Sequence, residues 1–582
     1  MPVILAAGIG RRMRPLSDSV HKTLMPLADE TILGRILREV AAAGFSRATI
    51  VTGYRADEVM EYATAHASGL DLDFVHNPRY ESTNNIHSLA LAFEHVDTSE
   101  GILLVESDLV FEPGLLRLLL DSPHDNVALV DRYRPGMDGT VVQVGPDATI
   151  ERIIPSDQQG PGFCFEDYFK TLNLYKFSGP FCVGTFGRLL RFYAREVSDN
   201  CFYELVLGMI VAAGQATIHA EVLSDQAWAE VDDPVDLRQA RYLVDETSRR
   251  ALLESSWGGW WGLPFTDFAF IRNMYFPTPA VLAELRMQLP ELLHNYGSAQ
   301  AELDQKLAWY LEVPTTEVVA LNGASQVFPL LARHFQGRTV LVPEPTFGEW
   351  SRCFPDAHRY PEAHIPPHPP PGSVVVVVNP NNPTGRIHDT ASLIADALRR
   401  PDVTYVVDES FIDFSDQPSA LGGPPNVAVV KSLSKSLGVP GLRLGWLAST
   451  DTRIVSAVRN ALPIWNLNSL AEKFIELLLK NREMVQASFQ RTQRDREEFA
   501  DLLGSLALVD VVMPSAANFL LVRLTVDSQS AADIADVLLS RNGLLVKDVS
   551  DRFTGQGHYR LAVRLPAQNR QLIEAMRNTH DR

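Results

Sequence analysis

The run LAAGIGRRMRPLSDSVHKTLMPL, residues 5–27, decides the reading of the first half of the chain. A short apolar strand runs directly into a glycine turn. Gly8 and Gly10 let backbone amides approach phosphate oxygens with no Cβ in the way. Arg12 and Lys22 follow, placed to neutralise triphosphate charge. Leu5, Ala6, Ala7, Gly8 and Gly10 are therefore the candidate nucleotide-binding residues, and Arg12 and Lys22 the candidate catalytic cations.

Outward from this run, short apolar stretches alternate with amphipathic ones. Strands are predicted at Val3–Ala6, Ala48–Thr52, Asp73–Val75, Gly101–Val105 and Val127–Val130, and helices at Ile32–Ala43 and Leu89–Phe93. That alternation predicts a mostly parallel sheet with crossover helices over residues 1–240. A linker is expected at 241–264. It ends in SSWGGWWGLP (255–264), whose Gly and Pro break regular structure and whose three tryptophans predict a packed joint. A second α/β pattern fills 265–582. Val374–Val378 is five consecutive valines, the mark of a strand buried on both faces. Further strands are expected at Val403–Val407 and Val427–Val430, and a smaller lobe from about Arg482.

The 582 residues carry a net charge of −19, which excludes non-specific nucleic-acid binding through a basic face. Anionic small substrates stay open, because local cations and helix N-termini decide those. Four cysteines without CxxC spacing read as reduced thiols of a cytoplasmic protein, with no disulfide framework or zinc site. No signal peptide and no membrane-spanning run is visible.

The extended run 5–27 resembles the sugar-phosphate-type nucleotidyltransferases, with His21 where that pattern carries proline. Asp108 closes the buried strand GILLVESD, and Asp232 lies in WAEVDDPVDL. Both match the metal-binding aspartates of the choline-phosphate and phosphonate cytidylyltransferases, which implies Mg2+, with Asp233 a substitute for Asp232. ESTNNIHSLALA (81–92), DGTVV (138–142) and KTLNLYKFS (170–178) also occur in that branch. The resemblance implies CTP as donor and makes Lys170 a candidate for the acceptor's phosphoryl or phosphonyl group. Asn85 and Ser88 either contact nucleotide or acceptor, or cap the helix beginning there.

In the second half, SLSKSLGVPGLRLGW (432–446), NPNNPTG (379–385) and VVDES (406–410) supply what pyridoxal-phosphate chemistry asks for. Lys435 is the candidate Schiff-base lysine, Asp408 the partner of the pyridine nitrogen, and Asn382 the donor to the ring O3′. Ala324, Ser325, Ser432, Ser434 and Arg443 form the candidate phosphate cup. Phe347 is the stacking ring, and Arg560 the fork for a substrate carboxylate, with Arg564 its rival. The set resembles the fold-type I aminotransferases of class I/II, nearest histidinol-phosphate aminotransferase and threonine-phosphate decarboxylase, over about 265–577. Tyr296 would reach the partner subunit's cofactor phosphate, which implies a homodimer. Phe411 stands where many aminotransferases carry tyrosine, as in the decarboxylase branch.

The fold expected is thus α/β throughout: a Rossmann-like nucleotidyltransferase domain, then a pyridoxal-phosphate fold-type I domain with a small C-terminal lobe. The fusion resembles the bifunctional cytidylyltransferase–decarboxylase family that makes CMP-aminopropylphosphonate. That resemblance implies CMP transfer to an amino-acid phosphonate, 2-amino-4-phosphonobutyrate, followed by decarboxylation. The alternative left open is a cytidylyltransferase fused to an aminotransferase acting on an aminoalkylphosphonate or an amino-acid phosphate ester.

Overall fold

A computed structural model describes residues 1–580. The chain divides into two compact units, Met1–Leu263 and a second from Pro264 onward.

In the first unit the strand Pro2–Ala6 is buried throughout and pairs in parallel with Arg47–Thr52 on one side and Ile102–Glu106 on the other. Asp71–His76 extends the sheet, again in parallel. Alternate residues of the central strand enter opposite cores. Ile4 and Ala6 pack with the helix Ile32–Ala42, while Val3 and Leu5 pack with the helix Asn85–His95. The other half of the sheet departs from the expected parallel pattern. Phe169–Phe177 runs antiparallel to Ile102–Glu106, Val127–Arg132 and Val141–Val144. Short connections favour antiparallel neighbours, and no helix separates Val141–Val144 from Ile150–Ile154, its antiparallel neighbour.

The expected boundary at 240 falls inside the helix Pro234–Val244, and the expected linker contains a further helix, Arg249–Ser256, within the first unit. An aspartate explains the first helix: Asp233 caps it, accepting from the amides of Val235 and Asp236. Two of the three tryptophans do not pack as predicted, while Trp260 is half-buried. Trp257 and Trp261 are 84% and 86% exposed. Trp257 sits in the left-handed region, and Gly258, Gly259 and Gly262 also have positive φ, so the segment turns too tightly to bury rings in sequence.

The second unit is built on a seven-stranded sheet in the spatial order Val318–Asn322, Leu444–Ser449, Val427–Ser432, Thr404–Asp408, Val374–Val378, Val340–Glu344, His358–Pro361. Leu444–Ser449 is antiparallel to both neighbours and the rest are parallel. The five valines divide as a two-faced strand must: Val375 and Val377 enter one core, Val374, Val376 and Val378 the other. The small lobe is a four-stranded antiparallel sheet, led by Phe519–Asp527 paired with Gln556–Ala562, backed by the helices Arg482–Gly504, Ser528–Asn542 and Pro566–His580. No helix among the described residues is long and apolar enough to cross a membrane.

Candidate active sites

The carboxyl ends of the parallel strands in the first unit open onto a cleft of about 440 Å³, where open α/β sheets place ligands. Leu5, Ala7, Gly8, Arg12, Lys22, Asn85, Ser88, Asp108 and Asp232 line it. Ala6 does not; the strand alternation turns it into the core. Gly10 adopts φ +65, and a Cβ there would meet the Lys22 side chain at 3.1 Å, so its role is to let Lys22 pass. Gly8 has open space on the side a Cβ would occupy.

Charge is concentrated at the cleft floor. The Lys22 ammonium lies 2.7 Å from Asp108 and 3.1 Å from Asp232, and Arg12 reaches Asp232 at 2.6 Å and also pairs with Asp138. Against the opposing effect of burial, Asp108 and Asp232 hold Lys22 above the usual lysine range. Lys22 and Arg12 likewise hold Asp232 below the usual carboxylate range, although burial pushes it up. The Asp108 oxygen that does not face Lys22 is buried without a hydrogen-bond partner. Asp138, Glu230 and Asp232 bring one oxygen each within 4.8 Å of one another, a spacing that suits a hard cation. Such an oxygen set fits magnesium; Asp138 and Glu230 join Asp232 in it, while Asp108 approaches only through Lys22.

His21 explains how the departure from proline is tolerated. It is buried, and its Nδ1 accepts from the Thr23 amide at 3.2 Å, capping the turn that presents Lys22. Burial and the neighbouring Lys22 push it down to about 4, so the ring is neutral. Asn84, not Asn85, caps the helix Asn85–His95. The Asn85 side chain instead approaches Glu106 at 3.3 Å and accepts from the Tyr203 amide, and Ser88 accepts from Asn77. Lys170 is almost wholly buried and pairs with Glu230 at 2.9 Å. Sequence reasoning missed the acids around it. Burial pushes Glu204 up to about 7, and burial with the charges of Asp108 and Glu204 raises Glu106 well above the carboxylate range.

In the second unit Asp408 ends its strand buried, with no cation within ion-pair reach among the described residues. Ser410 donates to one oxygen from its amide (3.1 Å) and hydroxyl (2.6 Å), and the Trp350 indole donates to the other at 3.1 Å. Burial raises its pKa. Lys435 sits in the short helix Leu433–Ser436, and its ammonium makes no ion pair among the described residues. Asn273 fixes that turn, donating from its amides to the carbonyls of Lys435 (3.0 Å) and Ser436 (2.8 Å). Enclosure, then Arg560 and Arg443, push Lys435 down to about 8, which raises the share of nucleophilic free amine.

Arg443 donates to the Ser325 hydroxyl at 3.1 Å, and a Cβ at Gly323 would lie 2.4 Å from its guanidinium. Glycine is thus required for that fork to reach the turn carrying Ala324 and Ser325. Ser432 stands at the N-cap of the lysine helix. Ser434 is turned away: it is buried, with its hydroxyl directed to the Leu444 carbonyl at 3.5 Å. Arg560 is half-buried, donates to the Asn382 side-chain oxygen at 2.9 Å and to the Ala269 carbonyl, and has an unpartnered Nε. That contact uses the Asn382 oxygen and leaves its amide NH2 as the donor. Both acceptors of Arg560 are neutral oxygens, so an anion is the natural complement of its charge. Arg564, the rival, is buried with two unpartnered nitrogens. Phe411 packs edge-on against Phe519 at 5.1 Å. Phe347 is partly exposed, and Tyr296 is 78% exposed and stacked on Trp465. The unpaired Lys435, the anion cup and the buried Asp408 fit pyridoxal phosphate.

Residues 2–164 match the MobA-like NTP transferase domain, and residues 272–576 match aminotransferase class I and II. Over nearly its full length the chain is similar to the CMP-5′-(3-aminopropyl)phosphonate synthase of Streptomyces rubellomurinus, with 34% identity over 99% of this chain and 94% of that protein. Its second half is similar to the threonine-phosphate decarboxylase of Salmonella typhimurium, with 28% identity over 47% of this chain and 80% of that protein. Among solved structures, the L-threonine-O-3-phosphate decarboxylase of Porphyromonas gingivalis shares the fold of the second unit: TM-score 0.50, 24% identity, 55% of this chain and 100% of that one. The chain belongs to the family of the Streptomyces synthase, two-domain enzymes that join a nucleotidyltransferase to a pyridoxal-phosphate-dependent domain of the class I/II aminotransferase fold.

Proposed function

We propose that the chain transfers CMP from CTP to an amino-acid phosphonate, 2-amino-4-phosphonobutyrate, and decarboxylates the product to CMP-3-aminopropylphosphonate. One observation carries the reading: a full-length relative named for synthesis of that product coincides with two sets of candidate site residues on one chain.

In the first reaction a phosphonate oxygen attacks the α-phosphorus of CTP, the bond to the bridging oxygen breaks, and pyrophosphate leaves. The nucleophile is already anionic, so no general base is needed, and positioning with electrostatics supplies the rate. Lys22 and Arg12 exchange their carboxylate partners for triphosphate oxygens, while Gly8 admits the phosphates to the strand end. Asp232, with Asp138 and Glu230, would hold magnesium, which when bound screens triphosphate charge, and Asp108 would join them once Lys22 turns to the triphosphate. Lys170 orients the phosphonate. Glu204 and Glu106 face the acceptor's ammonium.

The acid floor sets a pH dependence. Glu204 titrates at about 7, so it is protonated below that pH and anionic above it. Ammonium binding therefore strengthens as pH rises. The acceptor KM is expected to fall about tenfold between about pH 6 and pH 8, with the KM for CTP as the internal control, and Glu204→Gln should flatten the profile. A KM for the acceptor that rises with pH would remove Glu204 from this role.

In the second reaction the Cα–carboxylate bond breaks and a proton is delivered to Cα. Pyridoxal phosphate, when bound, accepts the electron pair from that bond. Arg560 grips the carboxylate, Asp408 keeps a positive charge opposite it, Phe347 covers the ring, and Asn382 donates to O3′. Lys435, poised near 8, returns the proton. Phe411 in place of tyrosine favours decarboxylation over transamination. Carbon dioxide release with no requirement for a keto-acid acceptor tests this; strict dependence on a keto acid would select the aminotransferase reading.

A homodimer completes the site. The helix Pro279–His294 buries only Val281 and leaves Met287 and Leu293 exposed beside Tyr296. These exposed apolar side chains support Tyr296 reaching the partner's cofactor phosphate. Met287→Asp with Leu293→Asp should give monomers in sedimentation and lose cofactor, with CTP turnover unchanged. A wild type that is monomeric and retains its cofactor would refute the shared site.

A further inference from the structure

The second unit contains another cavity, of about 480 Å³, lined by Glu362, Arg386, Met513, Leu521 and Phe553. None of Lys435, Asp408, Asn382 or Arg560 lines it. It nevertheless adjoins the cofactor pocket through two elements. Its wall includes Thr384 and Gly385, which follow Asn382 in the same turn. At its other side Arg552, next to Phe553, donates to the carbonyl of Thr346, the residue before Phe347.

The lining is chemically particular. Glu362 is only 8% exposed; one carboxylate oxygen accepts from the Arg386 Nε at 3.2 Å, and the other is buried with no hydrogen-bond partner. A spare acceptor thus sits beside a guanidinium donor. Around them are the Phe553 ring and the apolar side chains of Met513 and Leu521. Aromatic rings stack on bases with little regard to sequence. An acceptor beside a donor reads one edge: cytosine presents N4–H2 as donor next to N3 and O2 as acceptors. Placed the same way, uracil would direct O4 at the Glu362 carboxylate and its N3–H at the Arg386 guanidinium. Arg552 is exposed and cationic at the side facing the cofactor pocket, where a phosphate would pass.

We propose that this cavity is a second nucleotide subsite, holding the cytidine end of a cytidylylated amino acid while its amino-acid end occupies the cofactor pocket. The inference rests on the bifunctional reading above, and it adds a place in the decarboxylating half that holds the nucleotide of the conjugate.

Equilibrium dialysis of the full-length holoenzyme against CMP tests the subsite without using activity. Two equivalents of CMP should bind per chain, with UMP excluded from the second. Lys22→Ala should weaken only the first site. Glu362→Gln, which replaces the spare acceptor by a donor, and Phe553→Ala should each weaken only the second, by about tenfold or more. Retained visible absorption of the cofactor reports that each variant is folded. A single equivalent in the wild type, or a second equivalent indifferent to both substitutions, overturns the proposal. Kinetics separates its failure from that of the parent reading: both variants should raise the KM for the CMP conjugate about tenfold, leaving kcat and the turnover of the unconjugated amino acid unchanged. If no carbon dioxide is released from either compound while the second CMP still binds, the decarboxylase reading fails and the subsite stands.

Discussion

Lys435→Ala is expected to abolish the visible absorption of protein-bound pyridoxal phosphate and to slow carbon dioxide release by more than about 10³-fold, while pyrophosphate release from CTP continues at the wild-type rate. The first half follows from the isolation of the lysine. Its ammonium has no ion pair among the described residues, and enclosure together with Arg560 and Arg443 lowers its pKa to about 8. No other lysine takes its place: Lys431, the nearest in sequence, is committed to Asp413 at 2.6 Å. The arginines that would grip phosphate and carboxylate remain in the variant, so substrate binding should survive the loss of chemistry. The second half follows from the division into two compact units with separate cores. If CTP turnover also vanished in a folded Lys435→Ala protein, the two sites would not be independent. Measuring pyrophosphate and carbon dioxide on the same preparation decides between these outcomes.

What could be read from sequence was contiguous. The glycine turn with Lys22, the Lys435 turn and the five-valine strand each lie within one short window, where local geometry follows from residue type. Partners supplied from far along the chain were not legible. Trp350 donates to Asp408 from a helix 58 residues earlier, and Asn273 fixes the Lys435 turn from the start of the second unit. Neither contact leaves a local periodicity. The antiparallel half of the first sheet was missed for the same reason, since Phe169–Phe177 meets Ile102–Glu106 through tertiary register alone. Glu106 and Glu204 looked like ordinary acids; only their burial marks them. The exposed tryptophans fail in the opposite sense. Hydrophobicity predicted burial, but the glycine-rich backbone between them sets where the rings point.

Asp108→Asn is expected to reduce pyrophosphate release by about 10²–10³-fold, the loss seen when one preorganised electrostatic contact to a transition state is removed, while carbon dioxide release from a supplied CMP conjugate is unaffected. The substitution keeps the shape of the side chain and removes one negative charge from a cluster that also holds Asp232, Glu230, Asp138 and Glu106. Its effect on the cations is specific. Lys22 is held above the ordinary range by Asp108 first and Asp232 second. With Asp108 neutral, Lys22 leans on Asp232 alone, and the cation loses the carboxylate that Lys22 would release to it, whose outer oxygen has no hydrogen-bond partner. If that oxygen serves magnesium, raising the magnesium concentration should recover part of the lost rate in Asp108→Asn and none of it in Lys22→Ala, whose defect lies in the triphosphate contact. Lys22→Ala is the more damaging change to the fold, because it leaves two nearby carboxylates without their shared cation. Thermal melting should therefore fall in Lys22→Ala and be nearly unchanged in Asp108→Asn. Magnesium rescue of Lys22→Ala, or indifference of Asp108→Asn to the metal, would reverse the assignment of charge roles at the cleft floor.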